Sequence, residues 1–592
     1  MTSEFVRRFL SSLTAESIRK WVIVGILIGI MAGIGSYILY FGIIFFTRVF
    51  LTGITGIRLP PVGVSAVGIP FYYPVYDKYL IPVSTTLGGL ISGFLVYRFA
   101  PEAEGHGTDA AIDAFHNKDG RIRRRVPVIK TLASAITIGS GGSAGREGPT
   151  AQIASGFGSF IADAFHFNDH DRRIAAAAGI GAGIGSIFLA PLGGAILSTE
   201  ILYKRDFEVE ALIPSIIASI TGYSIFGYYF HYRSLFDIPI LPTFSHPINL
   251  ILYTIVGVLA GGLGILYVKT FYTTTSAFRR LKPVSKYFRP AIGGLGVGII
   301  AIYFPEVLGL GYGVTQQLLL GYLTLLPLSV LIILIFLKII STSLTIGSGG
   351  SGGVFAPGMV IGSLLGATIY DAFNPLFPTV TIAAVVIVSM ISFFGGVSKA
   401  PISVIIIGTE MTGGFSLFLP IMLATLIAYF ITGDKYCIYS KQVPTRKDSP
   451  AHFSEYTKPV LGTVTVFDGM NRNYRYVSPD DNVRIAVTKM RESRTKAVIV
   501  QDNGKLVGIL SYENVRDAES RPDATVREIM DSNPLYVNVN DSIVVAMEIL
   551  SKSSIGILAA VDDSKNVLGT LGFAEIADAY NRAIRMLKFQ KT

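Results

Sequence analysis

Charge is what this chain has least of. Asp, Glu, Lys and Arg together make up 15% of its 592 residues against 51% hydrophobic ones, too few to coat a soluble protein of this length. Cysteine is nearly absent, and the one copy, Cys437, excludes both an intramolecular disulfide framework and a metal site built on clustered thiolates. Neither of the chain's conspicuous Gly-rich strings carries the Gly-Lys-Ser/Thr ending of a phosphate-binding loop, and neither offers Gly-x-Gly-x-x-Gly before the helix of a βαβ unit: Gly347-Ser-Gly-Gly-Ser-Gly352 has the spacing but follows a long apolar run. With apolar runs on both sides of each string, a soluble nucleotide-binding enzyme is disfavoured. No small-residue cleavage site follows the first apolar run, which therefore reads as a retained span.

What the chain has instead is long hydrophobic runs. Residues 22–46, 250–268, 323–340, 379–394 and 415–432 are long enough to cross, or nearly cross, about 30 Å of hydrocarbon, and several shorter, Gly-rich runs look like broken helices. Residues 1–20 read as an N-terminal segment with an amphipathic surface helix over 4–20. The net charge of +10 is expected to come from cytoplasmic loops rather than from a nucleic-acid surface. Arg7, Arg8, Arg19 and Lys20 precede the first span, and Arg121, Arg123, Arg124, Arg125 and Lys130 crowd one loop. By the excess of basic residues in short inner loops, the N-terminus is cytoplasmic, and so is the polar tail.

One string occurs twice. Thr137-Ile-Gly-Ser-Gly-Gly-Ser-Ala-Gly-Arg-Glu-Gly-Pro149 returns 208 residues later as Thr345-Ile-Gly-Ser-Gly-Gly-Ser-Gly-Gly-Val-Phe-Ala-Pro357. Ala190-Pro191 followed by Thr199-Glu200 returns 210 residues later as Ala400-Pro401 and Thr409-Glu410. Two landmarks in near-constant register argue for a duplicated half, over 21–235 and 247–440 of a membrane domain spanning 21–442. Matching breaks in two halves are the mark of a transport site near the bilayer midplane.

Each string ends in Pro, suited to a first helical turn, so each break presents a helix N-terminus with free N–H groups and partial positive charge. Two such ends make an anion site without a formal charge, able to bind and to release. Only the first string carries a carboxylate, Glu147. Buried carboxylates need compensation, which helix amides provide, so Glu147 can take the place of a transported anion and leave it on protonation. The plainer alternative is a structural pair of Glu147 with Arg146.

Beyond a polar linker at 443–460, a soluble tail repeats at an offset of 60: Val477-Ser-Pro-Asp-Asp481 against Val537-Asn-Val-Asn-Asp541. Each copy leads into a helix and a hairpin, the first turning at Asn503-Gly504. The tail is a pair of βαββα units, 461–520 and 521–592.

These residues resemble the CLC family of chloride channels and chloride/proton exchangers. Gly145-Arg-Glu-Gly-Pro149 is similar to its gating-glutamate motif and Gly353-Val-Phe-Ala-Pro357 to its second anion motif. Gly105-His-Gly-Thr-Asp109 occupies the place of the first motif, and Tyr439 that of the anion-contacting tyrosine. The resemblance implies an all-α polytopic membrane domain of two inverted repeats with broken helices, acting as a homodimer in the lipid bilayer with one anion pathway per subunit. It implies Glu147 as the gating, proton-accepting group, with His106, Gly107, Arg146, Gly148, Val354, Phe355 and Tyr439 at the anion sites. No enzymatic activity, required cofactor, metal or nucleic acid is implied; chloride and protons are the transported species.

Two departures stand out. His106 and Asp109 replace the Ser and Pro usual in the first motif, so His106 either offers a ring N–H to the anion or leaves only its backbone amide there. Ile201 stands where, by the resemblance, well-studied exchangers have their internal proton-transferring Glu, the second of a Glu-Glu pair; channels of the family often show this pattern, and some exchangers do without that carboxylate. The tail resembles a soluble α/β tandem CBS pair, which implies an adenine-nucleotide cleft; Ser511, Asn514 and Glu575 are its candidate contacts, and a purely structural tail is the alternative. The functional expectation is chloride/proton antiport gated by a protonatable glutamate, with a passive voltage- or pH-gated chloride channel, open to nucleotide regulation through the tail, as the alternative.

Overall fold

The computed structural model describes residues 15–63, 77–322, 327–452, 462, 464–493, 495–517, 523–551, 553 and 555–589. The chain forms two compact units, residues 1–451 and 452–592.

The first unit holds sixteen α-helices among the described residues, and they fall into two sets of eight. The first set is α1 Ala15–Thr47, α2 Ile81–Phe99, α3 Thr108–Asn117, α4 Arg125–Gly139, α5 Glu147–Ala164, α6 Asp169–Phe188, α7 Pro191–Glu200 and α8 Leu212–Tyr229. The second is α9 Leu250–Arg280, α10 Arg289–Ala301, α11 Tyr312–Leu319, α12 Leu328–Gly347, α13 Phe355–Phe373, α14 Ile382–Ser398, α15 Pro401–Thr412 and α16 Phe418–Thr432. Equivalent pairs pack in both sets, α1 on α8 as α9 on α16, and α5 on α6 as α13 on α14. Equivalent helices also meet across the halves, α2 on α10 and α7 on α15.

Among the described residues, seven helical stretches are long and apolar enough to span a membrane: 19–55, 78–99, 209–229, 247–280, 328–347, 355–376 and 415–432. The other helices are too short or not apolar enough, and the breaks between them repeat. Leu189 and Lys399 end α6 and α14 in the left-handed region, at φ 58° and 57°, and an Ala-Pro step then opens the next helix in each half.

Residues 1–14 lie outside the described residues, so the amphipathic helix expected over 4–20 is seen only at 15–20, where it is continuous with the first span. Lys130 differs from expectation more sharply. It is no loop residue: it is fully buried in α4, with Nζ donating to the carbonyls of Ala103 at 3.0 Å and Gly105 at 2.7 Å. Lys338 of α12 does the same for Val307 and Gly309, at 2.9 and 3.2 Å. Each ammonium fixes the loop entering a short helix by satisfying its carbonyls, which a sequence count of basic residues reads as surface charge.

In the second unit, two three-stranded sheets repeat one topology. Strands β1 Tyr476–Val477, β2 Ala497–Asp502 and β3 Lys505–Ser511 form the first, and β4 Tyr536–Asn538, β5 Ile557–Val561 and β6 Val567–Gly572 the second. In each, a parallel first strand precedes an antiparallel hairpin. The opening turns are exchanged between the two. Val464, Val466 and Met470 pack into the core around Val537, Ile543 and Leu571, whereas Val526 packs with Val477, Val498 and Leu510.

Candidate anion pathway

The two Gly-rich breaks meet. After α4 the chain leaves the helix and restarts at Glu147, and after α12 it restarts at Phe355. Between the restarts, Gly145 N–H donates to Gly353 O at 2.7 Å and Gly353 N–H to Gly145 O at 2.6 Å. Each break is braced by a loop of the other half: Gly105 N–H donates to Gly350 O at 3.1 Å, and Gly309 N–H to Gly141 O at 3.2 Å. The first amides of α5 and α13 have no partner within their own helices, so the joined breaks gather unsatisfied donors at one place.

Glu147 fills that place. Its carboxylate is fully buried; Oε2 accepts the Ala356 N–H of α13 at 3.3 Å and Oε1 accepts the Tyr312 hydroxyl at 2.6 Å. Room for it depends on Gly145, where a Cβ would lie 2.4 Å from Oε2. The Arg146 pairing weighed from sequence is loose, with Nε 4.0 Å from Oε1. The guanidinium instead lies over the rings of Tyr40 and Tyr312, 5.4 and 5.9 Å from their centroids, and donates to the Ile187 carbonyl.

Phe355 opens α13 with its ring between Phe188 and Phe394, at centroid distances of 4.5 and 4.0 Å, which holds the helix end in place. Val354 precedes it, its carbonyl accepting the Tyr267 hydroxyl at 3.3 Å. Tyr439 is buried, 5.5 Å from the His106 ring and 6.5 Å from Phe394 by centroids. Gly148 follows Glu147 on α5, and a Cβ there would lie 2.1 Å from the His106 carbonyl, so the first-motif loop, His106-Gly107, is seated directly against α5. Glu147, Arg146, Gly148, Val354 and Phe355 thus gather around the joined breaks, with His106 and Gly107 against α5 and Tyr439 beside His106.

Tyr312 is the site residue that the sequence did not bring out. Its signal was a third repeat: Pro305-Glu306 and Gly309-Leu-Gly-Tyr312 echo Pro101-Glu102 and Gly105-His-Gly-Thr108 at an offset of 204. Ile201 is buried just beyond α7, its carbonyl accepting Gln442 Nε2 at 2.9 Å.

In the tail, the candidate nucleotide contacts are engaged locally. The Ser511 hydroxyl donates to Asn514 Oδ1 at 2.5 Å, and Glu575 Oε2 accepts the Gly572 N–H at 3.0 Å.

Residues 88–433 match the family described as voltage gated chloride channel, and residues 461–521 and 526–582 each match a CBS domain. The chain is 29% identical over 420 residues to an uncharacterized protein of Methanocaldococcus jannaschii, covering 70% of this chain and 93% of that one. It is also 29% identical over 363 residues to the H(+)/Cl(-) exchange transporter ClcA of Yersinia pestis, covering 59% of this chain and 75% of the relative. The fold is shared with a slow cyanobacterial Cl-/H+ antiporter (TM-score 0.60, 22% identity, 72% of this chain and 97% of the other). A eukaryotic CLC transporter shares it over 95% of this chain and 99% of its own (TM-score 0.57, 18% identity).

Proposed function

Because the chain belongs to the CLC family, integral membrane proteins that transport anions, we propose that it exchanges chloride for protons, with Glu147 as both gate and proton acceptor. The observation that carries this reading is the seat of the Glu147 carboxylate on the Ala356 amide. An anion drawn to the α13 N-terminus must displace that carboxylate, and a carboxyl that takes up a proton no longer competes for the amide. Chloride occupancy and Glu147 protonation are then favoured together. The name of the ClcA relatives agrees with this chemistry. The amides of Arg146 and Gly148 would serve an outer site, those of Val354 and Phe355 and the Tyr439 hydroxyl a central one. The protein would work as a homodimer with both termini in the cytoplasm.

Because Ser511 and Glu575 are engaged in their own turns, the tail is read as a structural pair. A passive channel is the second reading, favoured by apolar Ile201. Substitution tests the gate: Glu147→Gln is expected to abolish proton movement in proteoliposomes while anion flux persists and loses its rise at low pH. A pH response identical to that of the unmodified protein would remove Glu147 from the role.

A further inference from the structure

Beside the carboxylate switch lies a second pair of titratable groups that the switch does not use. His106 is buried, 6% exposed, and both its ring nitrogens face Asp109. Nδ1 accepts the Asp109 backbone N–H at 3.5 Å, which leaves the ring hydrogen on Nε2, 3.3 Å from Asp109 Oδ2. The neighbouring rings of Phe271 and Tyr439 are 6.3 and 5.5 Å away. Asp109 is less enclosed, its side chain 20% exposed. It accepts the Ser440 hydroxyl at 2.6 Å and the Ser440 and Lys441 amides at 3.2 Å, all from the segment leaving the last span. A buried imidazole is therefore joined to a partly solvated carboxylate, while its own backbone abuts Gly148, the neighbour of Glu147.

Resting on the antiport reading, we infer that the His106–Asp109 pair is the inner proton-loading site, doing here what the carboxylate missing at Ile201 would do. A proton from water adds at His106 Nδ1, replacing its long 3.5 Å contact with the Asp109 amide, and the imidazolium is held through Nε2 by the Asp109 carboxylate, so the pair goes from one negative charge to none. The imidazolium then releases its proton into the pathway, where a Glu147 carboxylate oxygen takes it up, restoring neutral His106 and leaving Glu147 as a neutral acid. Loading also removes a negative charge from the mouth of the pathway, so an anion entering from that side meets less repulsion once the proton has arrived. The other titratable groups around the pair are Tyr439, Tyr272 and Cys437 beside Asp109, Lys441 on the same segment, and Lys130, whose ammonium holds the Gly105 carbonyl. None of the three nearest to Asp109 offers a second site titrating near neutrality.

The test uses the full-length protein in proteoliposomes, with proton and chloride fluxes recorded together under a chloride gradient. His106→Gln keeps a donor for Asp109 but holds no extra proton, and Asp109→Asn removes the charge that retains the imidazolium. Each is expected to lower the proton-to-chloride ratio about tenfold or more and to flatten the dependence of chloride flux on inner pH. Wild-type ratios in both variants would overturn the inference and leave the antiport reading standing. An unmodified protein that carries chloride but no protons would overturn both. If His106→Gln fails to assemble, as judged by gel filtration, the ratio in Asp109→Asn decides alone.

Discussion

A carboxylate out of reach of water must be given donors, and Glu147 receives them from the other half of the molecule: an amide from α13 and a hydroxyl from the first residue of α11. The two differ in what they do for an anion. The amide is available to whichever species occupies the helix end, whereas the Tyr312 hydroxyl serves the seated carboxylate. Tyr312→Phe therefore removes support from one competitor only. A hydrogen bond to a charged group contributes about 1.5–3 kcal/mol, so the balance should move roughly tenfold or more toward the anion. Calorimetric titration with chloride near neutral pH is expected to show tighter binding in the variant; unchanged affinity would mean that the hydroxyl does not hold the gate.

At the scale of elements, the short helices α7 and α15 close on each other. Glu200 at the end of α7 accepts the amides of Ile402 and Ser403 at 3.2 and 2.8 Å, and Glu410 on α15 accepts those of Leu192 and Gly193 at 3.2 and 2.8 Å. Each carboxylate satisfies the orphan donors opening the other helix, as an N-cap does from within a chain. Loss of either should cost about 1–2 kcal/mol, seen as a lower Tm in detergent. Because both clamp one helix pair, Glu200→Ala and Glu410→Ala combined should destabilise by less than the sum. Strict additivity would show that the two caps act independently.

Much of this was legible in the sequence. The doubled string marked both breaks, and the Ala-Pro and Thr-Glu landmarks marked the α7 and α15 pair, because backbone turns and helix starts demand Gly and Pro at fixed places. What the sequence hid was anything that depends on which side chain crosses between halves. Tyr312 lies 165 positions from Glu147, and an aromatic residue in an apolar helix announces packing rather than donation. Lys130 looked like one more basic loop residue because only the folded chain brings the Ala103 and Gly105 carbonyls to it.

At the scale of the whole molecule, the tail offers a test of its exchanged turns. Val466 belongs by sequence to the first CBS unit but is buried in the core of the second. A charge there has no partner, so Val466→Asp should unfold its surroundings at a cost of several kcal/mol. Hydrogen exchange on the full chain is expected to show protection lost first in β4–β6; loss beginning in β1–β3 would contradict the exchange.

For the membrane unit, the central claim is that Glu147 ties chloride to protons. Without a second buried carboxylate at Ile201, everything rests on whether the coupling survives. The decisive measurement is chloride movement in proteoliposomes holding equal chloride on both sides and a pH gradient as the sole driving force. Coupled exchange predicts chloride accumulating against its own gradient, with a reversal potential that depends on both ions. A chloride distribution that stays flat, with a reversal potential set by chloride alone, would contradict it.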